Sequence, residues 1–317
     1  MQGLALSRAF YEDVAAPLLQ RELPDYADVL AVGLVGEGSE CFGFDDALSR
    51  DHDWGAGICI WCPEAIFPVV QPLLEPVFDK MPPSFKNYPV RMAPALRNGR
   101  VGLFSVEGFY RRFINSPQPL STWQQWYTVP DHFFAVCTNG EVFTDPSGEF
   151  TAFRDSLLGY YPDDVLKKKL AARYGVMAQS GQYNLLRMLK RNDIAAALFS
   201  LSRFVESAVG AMYLLNRRYM PFYKWAFHGL AALPDSQHIV EKLQTVLALN
   251  LVHGSDIAGQ AERAIEDVCV SMVDLLKEKE LTQKNEPWLM AQAELVQAQI
   301  ENPQIRNLPV LHGVCFS

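Results

Sequence analysis

The sequence predicts an α+β chain, with strands and helices mixed up to about residue 150 and helices alone behind. Two observations predict it. Short apolar runs bounded by glycine, proline and polar turns recur in the first half, and apolar spacing of 3 or 4 residues takes over in the second. With 317 residues, 49% of them apolar and 20% charged, the chain can bury two ordinary cores. We place the boundary near 150–160 and expect domains at 1–150 and 151–317.

The elements follow in order. Leu6, Phe10, Val14 and Leu18 give one apolar face of an N-terminal helix, with Pro17 inside the pattern as a kink or stop. Residues 29–36 read as a buried strand, and 37–50 as a loop rich in glycine, serine and acids. Residues 51–61 read as a second strand and 63–80 as a helix entered through Pro63. Short strands are expected near 88–92 and 100–107, the latter with Val101, Leu103, Ser105 and Glu107 on one face. An aromatic-rich helix is expected at 109–128, and residues 139–146 read as turn, strand and stop. Behind them, Ile194, Leu198, Leu201, Val205, Ala208, Met212 and Leu215 form a continuous stripe on a helix over 193–216, with Asp193 as its cap. Further helices are expected near 163–178, 181–191, 222–233, 236–250, 257–281 and 286–300.

Charge and cysteine bound the function. The net charge of −8 argues against a general electrostatic footprint for nucleic acid. Residues 1–150 hold 10 basic and 19 acidic residues, 151–224 hold 12 and 5, and 225–317 hold 6 and 12. A basic middle beside an acidic front suggests two faces meeting over an anion and its cations; ordinary variation among solvated helix faces gives the same numbers, and both readings stand. Six cysteines do not form a disulfide framework, and Cys59-x-x-Cys62 reads as strand residues rather than a metal or redox pair. No apolar run approaches the roughly 20 residues of a membrane span, and no secretory signal is evident, so the cytoplasm is the expected compartment.

One segment carries chemistry. Gly38-Ser39 follows an apolar strand, and after 11 residues comes Asp51-His52-Asp53. On a strand, residues i and i+2 point to the same side, so Asp51 and Asp53 can share a divalent ion; carboxylates with phosphate oxygens suit Mg²⁺. A Gly-Ser turn offers backbone N–H groups and a hydroxyl to a phosphate oxygen. Asp45 and Asp46 read as loop and cap residues. His52 points away from its acidic neighbours, toward a structural hydrogen bond. Arg50 reaches a phosphate or forms a surface ion pair.

This order of Gly-Ser, gap and Asp-x-Asp is similar to the signature of the DNA polymerase beta nucleotidyltransferase superfamily, which includes kanamycin nucleotidyltransferase. The string GEGSECFGFDDALSRDHDWG, with the later NGEVFTD, YYPDDV, QSGQYN and LNRRYMPFYKW, resembles the bacterial family called domain of unknown function 4037. The resemblance implies a small mixed-sheet nucleotidyltransferase domain followed by an all-α helical bundle that covers the nucleotide and helps bind the acceptor. It further implies Asp51 and Asp53 as ligands for Mg²⁺ or Mn²⁺, Gly38 and Ser39 as a cradle for a nucleoside triphosphate, and a third carboxylate on a later strand. Glu107, 54 residues after Asp53, is the candidate for that third acid; the alternative is an exposed strand-end carboxylate. Glu37 departs from the pattern, standing where an apolar residue is usual.

In the helical half, Gln182, Tyr183, Asn184, Arg187, Lys190 and Arg191 form one polar cluster, with Asn184, Arg187 and Arg191 at helical spacing. Asn216, Arg217, Tyr219, Tyr223, Lys224 and Trp225 form a second. Arg187 and Lys224 are candidates for the phosphates, and Tyr219 or Tyr223 for a base; core packing and solvation account equally well for any one of them. The expected reaction moves a nucleoside monophosphate, AMP from ATP, to a hydroxyl of a small-molecule acceptor. A non-catalytic nucleotide sensor, and a transferase acting on a protein or tRNA, are the alternatives.

Overall fold

The computed structural model describes residues 1–50, 53–251 and 256–314. The chain is α+β and divides into two units, residues 1–121 with 133–159, and residues 122–132 with 160–317. Segment 122–132 therefore joins the helical unit, and 151–159 the first one.

The first unit opens with α1 (Gly3–Phe10) and α2 (Ala16–Glu22), joined by a π-helical turn over Tyr11–Ala15. Pro17 sits in the first turn of α2, where an N–H is dispensable, and the wide π turn supplies the break. There follow β1 (Ala31–Leu34), α3 (Ser39–Phe42), β2 (Cys59–Cys62), α4 (Phe67–Asp79), β3 (Ser84–Phe85), β4 (Tyr88–Pro89), α5 (Pro94–Arg97), β5 (Gly102–Ser105) and α6 (Val106–Ile114). Helix α7 (Trp123–Thr128) lies in the second unit. Helix α8 (Asp131–Thr138) leads back to the first, which ends with β6 (Glu141–Thr144) and α9 (Glu149–Leu158).

The main sheet has the order β5-β2-β1-β6, and β3 and β4 form a separate hairpin. In the main sheet β2 and β5 are parallel, whereas β1 is antiparallel to both its neighbours, so the sheet is mixed. Its core is aromatic. Trp61 of β2 stacks on Phe150 at 3.9 Å, and Tyr110 stacks on Phe153 at 3.7 Å. These pairs clamp α6 and α9 to the sheet, each large ring contributing on the order of 2–3 kcal/mol by burial.

The strands expected at 29–36, 51–61, 88–92 and 100–107 are all shorter than expected, and for two of them the local reason is visible. Among the described residues, the strand expected over 51–61 runs from Cys59 to Cys62. Asp53 has a left-handed φ of +53°, and Gly55, at φ +149°, is turned against the Pro89 carbonyl. The strand expected over 100–107 stops at Ser105, whose hydroxyl accepts a hydrogen bond from Gly108 N at 3.0 Å and caps α6. Glu107 thus lies in the first turn of a helix. Cys59 and Cys62 are buried strand residues, and desolvation pushes both thiols up to about 12.

The second unit is helical. Helix α10 (Asp163–Met177) continues through a π-helical stretch, Ala178–Leu185, into α11 (Leu186–Lys190). Helix α12 (Ile194–Leu215) begins at Asp193, whose carboxylate accepts from Ala196 N at 3.0 Å, as expected for a cap. Then come α13 (Tyr223–Leu230), α14 (Gln237–Leu247), α15 (Ile257–Glu278), α16 (Leu289–Ala298) and α17 (Pro303–Arg306). Helix α10 packs against α12 and α16 at the centre. Among the described residues, α12 is the one helix long and apolar enough to cross a membrane; half of its most apolar window is buried within the protein.

Three of the basic residues of segment 151–224 are in this core rather than on a face: Lys168, Lys169 and Arg173 are all buried. Lys168 Nζ donates to Gln297 Oε1 and to the carbonyls of Pro309 and Val310, tying down the C-terminal segment. Asp131 accepts from Lys169 Nζ at 2.9 Å and Tyr161 Oη at 2.7 Å, with Arg173 Nη2 at 3.5 Å. Burial alone would raise this carboxyl, but the two cations outweigh it and hold the group far below the usual carboxylate range.

Candidate functional site

The antiparallel register of β1 and β2 fixes the site. Gly33 pairs with Cys59, so the C-terminal end of β1 and the N-terminal end of β2 lie at one edge of the sheet. Cys59 pairs in turn with Gly102, which brings the start of β5 to the same edge. Gly36 to Ser39 leave β1 there, Asp53 approaches β2 there, and Asn98 to Arg100 approach β5 there.

The turn after β1 is held from behind. Asn139 Nδ2 donates to Gly36 O at 2.7 Å, and Asn139 Oδ1 accepts from Gly36 N at 3.1 Å. Gly140 N donates to Cys41 O at 2.7 Å. Gly140 has φ +59°, and a Cβ there would fall 1.9 Å from Leu34 O, so the contact between this turn and β1 requires glycine. Gly38 begins α3 with a buried glutamate behind it; a Cβ on Gly38 would fall 2.3 Å from the Glu40 carboxylate oxygens. Glu40 pairs with Arg91 at 3.0 Å, both side chains almost fully buried. Such a pair contributes little net stability but fixes position, because removing either partner leaves the other charged and buried.

The front of the turn is charged. Glu37, exposed, pairs with Arg112 of α6 at 2.6 Å, and Arg112 Nη1 also donates to Gly99 O. Asp53 accepts from Asn98 Nδ2 and pairs with Arg100 at 3.4 Å. Two carboxylates and two guanidinium groups thus lie at the edge of the sheet where the glycine turn leaves β1. Arg100 and Arg112 were not singled out from the sequence. Their signal was faint, since each is an ordinary surface arginine until the register of β5 and the start of α6 are known. The residue that departs from the pattern, Glu37, turns out to be the partner of Arg112.

The expected site residues fare differently. Gly38, Ser39 and Asp53 are at one edge. Asp51 and His52 lie outside the described residues. Because Asp53 sits in a left-handed bend and not in a strand, the same-side argument for Asp51 and Asp53 does not rest on strand geometry. Arg50 is not directed at the turn: its guanidinium rides over Trp54 at 4.5 Å and Tyr88 at 5.6 Å and donates to Met1 O. Asp45 accepts from Gly3 N and Trp54 Nε1, and Asp46 caps the turn at Leu48 and Ser49, so both are loop and cap residues.

Glu107 is a correction. Cys62 pairs with Ser105, so the other ends of β2 and β5 lie together, and there Glu107 Oε2 accepts from Glu64 N at 2.9 Å. A four-residue strand separates this edge from that of Asp53, roughly 10 Å of rise. Carboxylates at opposite ends of a strand cannot share one Mg²⁺ with its bonds of about 2 Å. Among the described residues no three His, Cys, Asp or Glu side chains converge as a metal cluster.

In the second unit, Arg187 stacks over Tyr183 at 4.7 Å and donates to its hydroxyl at 2.8 Å, and Lys224 lies 5.6 Å over Trp225. Tyr219 packs on Tyr160 and Tyr161. Gln182 is a structural link: its amide bonds to Glu266, Pro287 O and Leu289 N. Asn184 falls in the π-helical stretch, whose wider turn upsets the helical spacing assumed for Asn184, Arg187 and Arg191.

Fold and site together define an α+β protein with a glycine turn and an acid–arginine cluster at one edge of a mixed sheet. Residues 126–226, about a third of the chain, match the family described as Domain of unknown function (DUF4037). That stretch contains the Asn139-Gly140 turn, the Asp131 cluster and both polar clusters of the helical unit, and leaves out the Gly36 to Gly55 string. No curated protein and no solved structure matches the chain.

Proposed function

We propose that the chain is a Mg²⁺-dependent nucleotidyltransferase that moves AMP from ATP to a hydroxyl of a small molecule. The observation that carries this reading is the gathering of the Gly38-Ser39 turn, Asp53, Arg100 and Arg112 at one edge of the sheet. The mixed sheet is also what the resemblance to nucleotidyltransferases implies.

The residues suit their tasks. The Gly38-Ser39 turn, held through Gly36 by Asn139, offers backbone and hydroxyl donors to the β- and γ-phosphates. Arg100 and Arg112 supply positive partners that a triphosphate needs, in addition to the Arg187 and Lys224 expected from the sequence. Asp53 is a hard oxygen donor with lone pairs to spare beyond Asn98 and Arg100, and with Asp51 it would hold Mg²⁺. Bound there, the ion would offset phosphate charge and orient the triphosphate. The acceptor's hydroxyl oxygen forms a bond to the α-phosphorus while the bond to the pyrophosphate oxygen breaks. The hydroxyl proton passes to a base on the same edge, where Glu37 and Asp53 are the described carboxylates; Glu107 does not serve.

A small acceptor is favoured over tRNA because Lys168, Lys169 and Arg173 are withdrawn from the surface of the basic segment. A binding-only role is the second reading, favoured by the position of Glu107 at the far edge. Incubation with α-labelled ATP, Mg²⁺ and cell extract separates the two. Labelled product with pyrophosphate release supports transfer, and its loss in the Asp51→Asn/Asp53→Asn double variant assigns it to this edge. Equal labelling by wild type and variant overturns the proposal.

A further inference from the structure

The glycine turn has a negative charge behind it. A Cβ on Gly38 would fall 2.3 Å from both carboxylate oxygens of Glu40, whose side chain is almost fully buried. A carboxylate so placed repels an anion on the turn, through surroundings that screen it far less than water does. A phosphate cradle with a glutamate against it therefore needs a compensating cation.

Arg91 is that cation. Its Nη1 donates to Glu40 Oε1 at 3.0 Å. The residue is 3% exposed, and its Nε and Nη2 are buried with no hydrogen-bond partner among the described residues, so the guanidinium is not wholly engaged by Glu40. Its main chain belongs to the other half of the site. Val90 pairs with Ala56 in an isolated bridge, and Arg91 N donates to Ala56 O at 2.7 Å, on the segment that runs from Asp53 into β2. Arg100 and Arg112 are in contact with water and Arg91 is not, so its charge is the least screened of the three. On the reading that this turn holds the β- and γ-phosphates, we propose that Arg91 is a positioning residue for the triphosphate that acts through Glu40. Its charge cancels the carboxylate against Gly38 and keeps the cradle open to an anion, without itself touching the phosphates.

The test is isothermal titration of the full chain with ATP and with AMP in Mg²⁺, with urea unfolding alongside, on wild type and three variants. Arg91→Met bares Glu40; it should weaken ATP by about tenfold or more and AMP by less, because the repulsion grows with the charge of the ligand. Glu40→Gln leaves Arg91 unpaired; it should lose stability as Arg91→Met does, yet bind ATP more tightly than wild type. Loss of structure alone moves stability and affinity the same way in both. In Glu40→Met/Arg91→Met the pair gives way to apolar side chains, an exchange that buried ion pairs tolerate, so this variant decides the matter even where a single one does not fold. It should bind ATP about as tightly as wild type, since Asn139 still holds the turn and no charge is left against Gly38. Absence of ATP binding by wild type overturns the functional reading and this proposal with it. Binding by wild type that falls in Glu40→Gln as in Arg91→Met, or that is lost in the double variant, overturns this proposal alone.

Discussion

Asn139 grips Gly36 by both its peptide groups, donating to the carbonyl at 2.7 Å and accepting from the N–H at 3.1 Å. A residue just before β6 thereby sets the path of the chain out of β1, 103 positions earlier. The turn that follows, Gly38-Ser39, has its place because of that grip and because Gly140 lets the backbones meet.

Replacing Asn139 by alanine removes both bonds and leaves two part-buried backbone groups unpaired. The expected loss is about 1–3 kcal/mol of stability, read from urea unfolding. Affinity for Mg²⁺-ATP should fall with it, because the turn is no longer held. Asn139→Asp keeps the acceptor and loses the donor, and should lie between the two proteins.

Gly140→Ala should be worse than an alanine at another left-handed glycine. Gly140 has φ +59° and no room for a Cβ, whereas Gly148 has φ +71° and open space. Gly148→Ala should cost about 1 kcal/mol, the conformational term alone, and Gly140→Ala several-fold more, seen as a lower melting temperature or loss of soluble protein.

Much of this was legible in the sequence, and the gaps have physical causes. The helix over 193–216 was legible because seven apolar positions repeat over six turns and Asp193 caps them. The Gly38-Ser39 turn was legible because glycine between an apolar run and a serine has few other uses. Glu107 was misplaced because Ser105 fits the alternating pattern of a strand as well as the capping position of a helix, and only the fold decides between them. Arg100 and Arg112 were missed because their convergence depends on strand register. The buried Lys168, Lys169 and Arg173 were missed because a run of basic residues reads as a solvated face until Asp131 is brought to it.

Glu107→Gln should leave Mg²⁺-ATP binding unchanged, since Glu107 sits at the far edge of the sheet. Arg112→Ala, which frees Glu37 at the mouth of the turn, should weaken it by roughly tenfold. Parallel titrations of both variants check the assignment of edges.

Asp131 should govern acid stability of the helical unit. Its folded carboxyl is held below the usual range by Lys169 and Arg173, so the unfolded chain takes up a proton first as pH falls. The stabilisation is therefore complete above the ordinary carboxylate range, about pH 4, and is lost as pH falls below it toward the folded value. Asp131→Asn strands two buried cations and should cost about 3–5 kcal/mol at neutral pH. Unfolding of wild type and variant across pH 2–7 reads this as a difference that narrows with acid.

The central claim is that a metal-bound triphosphate docks at the edge where β1 ends and β2 begins. Isothermal titration of ATP into wild type and Asp53→Asn, each with Mg²⁺ and with EDTA, tests it most directly. The account predicts Mg²⁺-dependent binding to wild type, weakened by roughly tenfold or more in Asp53→Asn. Binding of equal strength in both proteins, or indifferent to Mg²⁺, would contradict it.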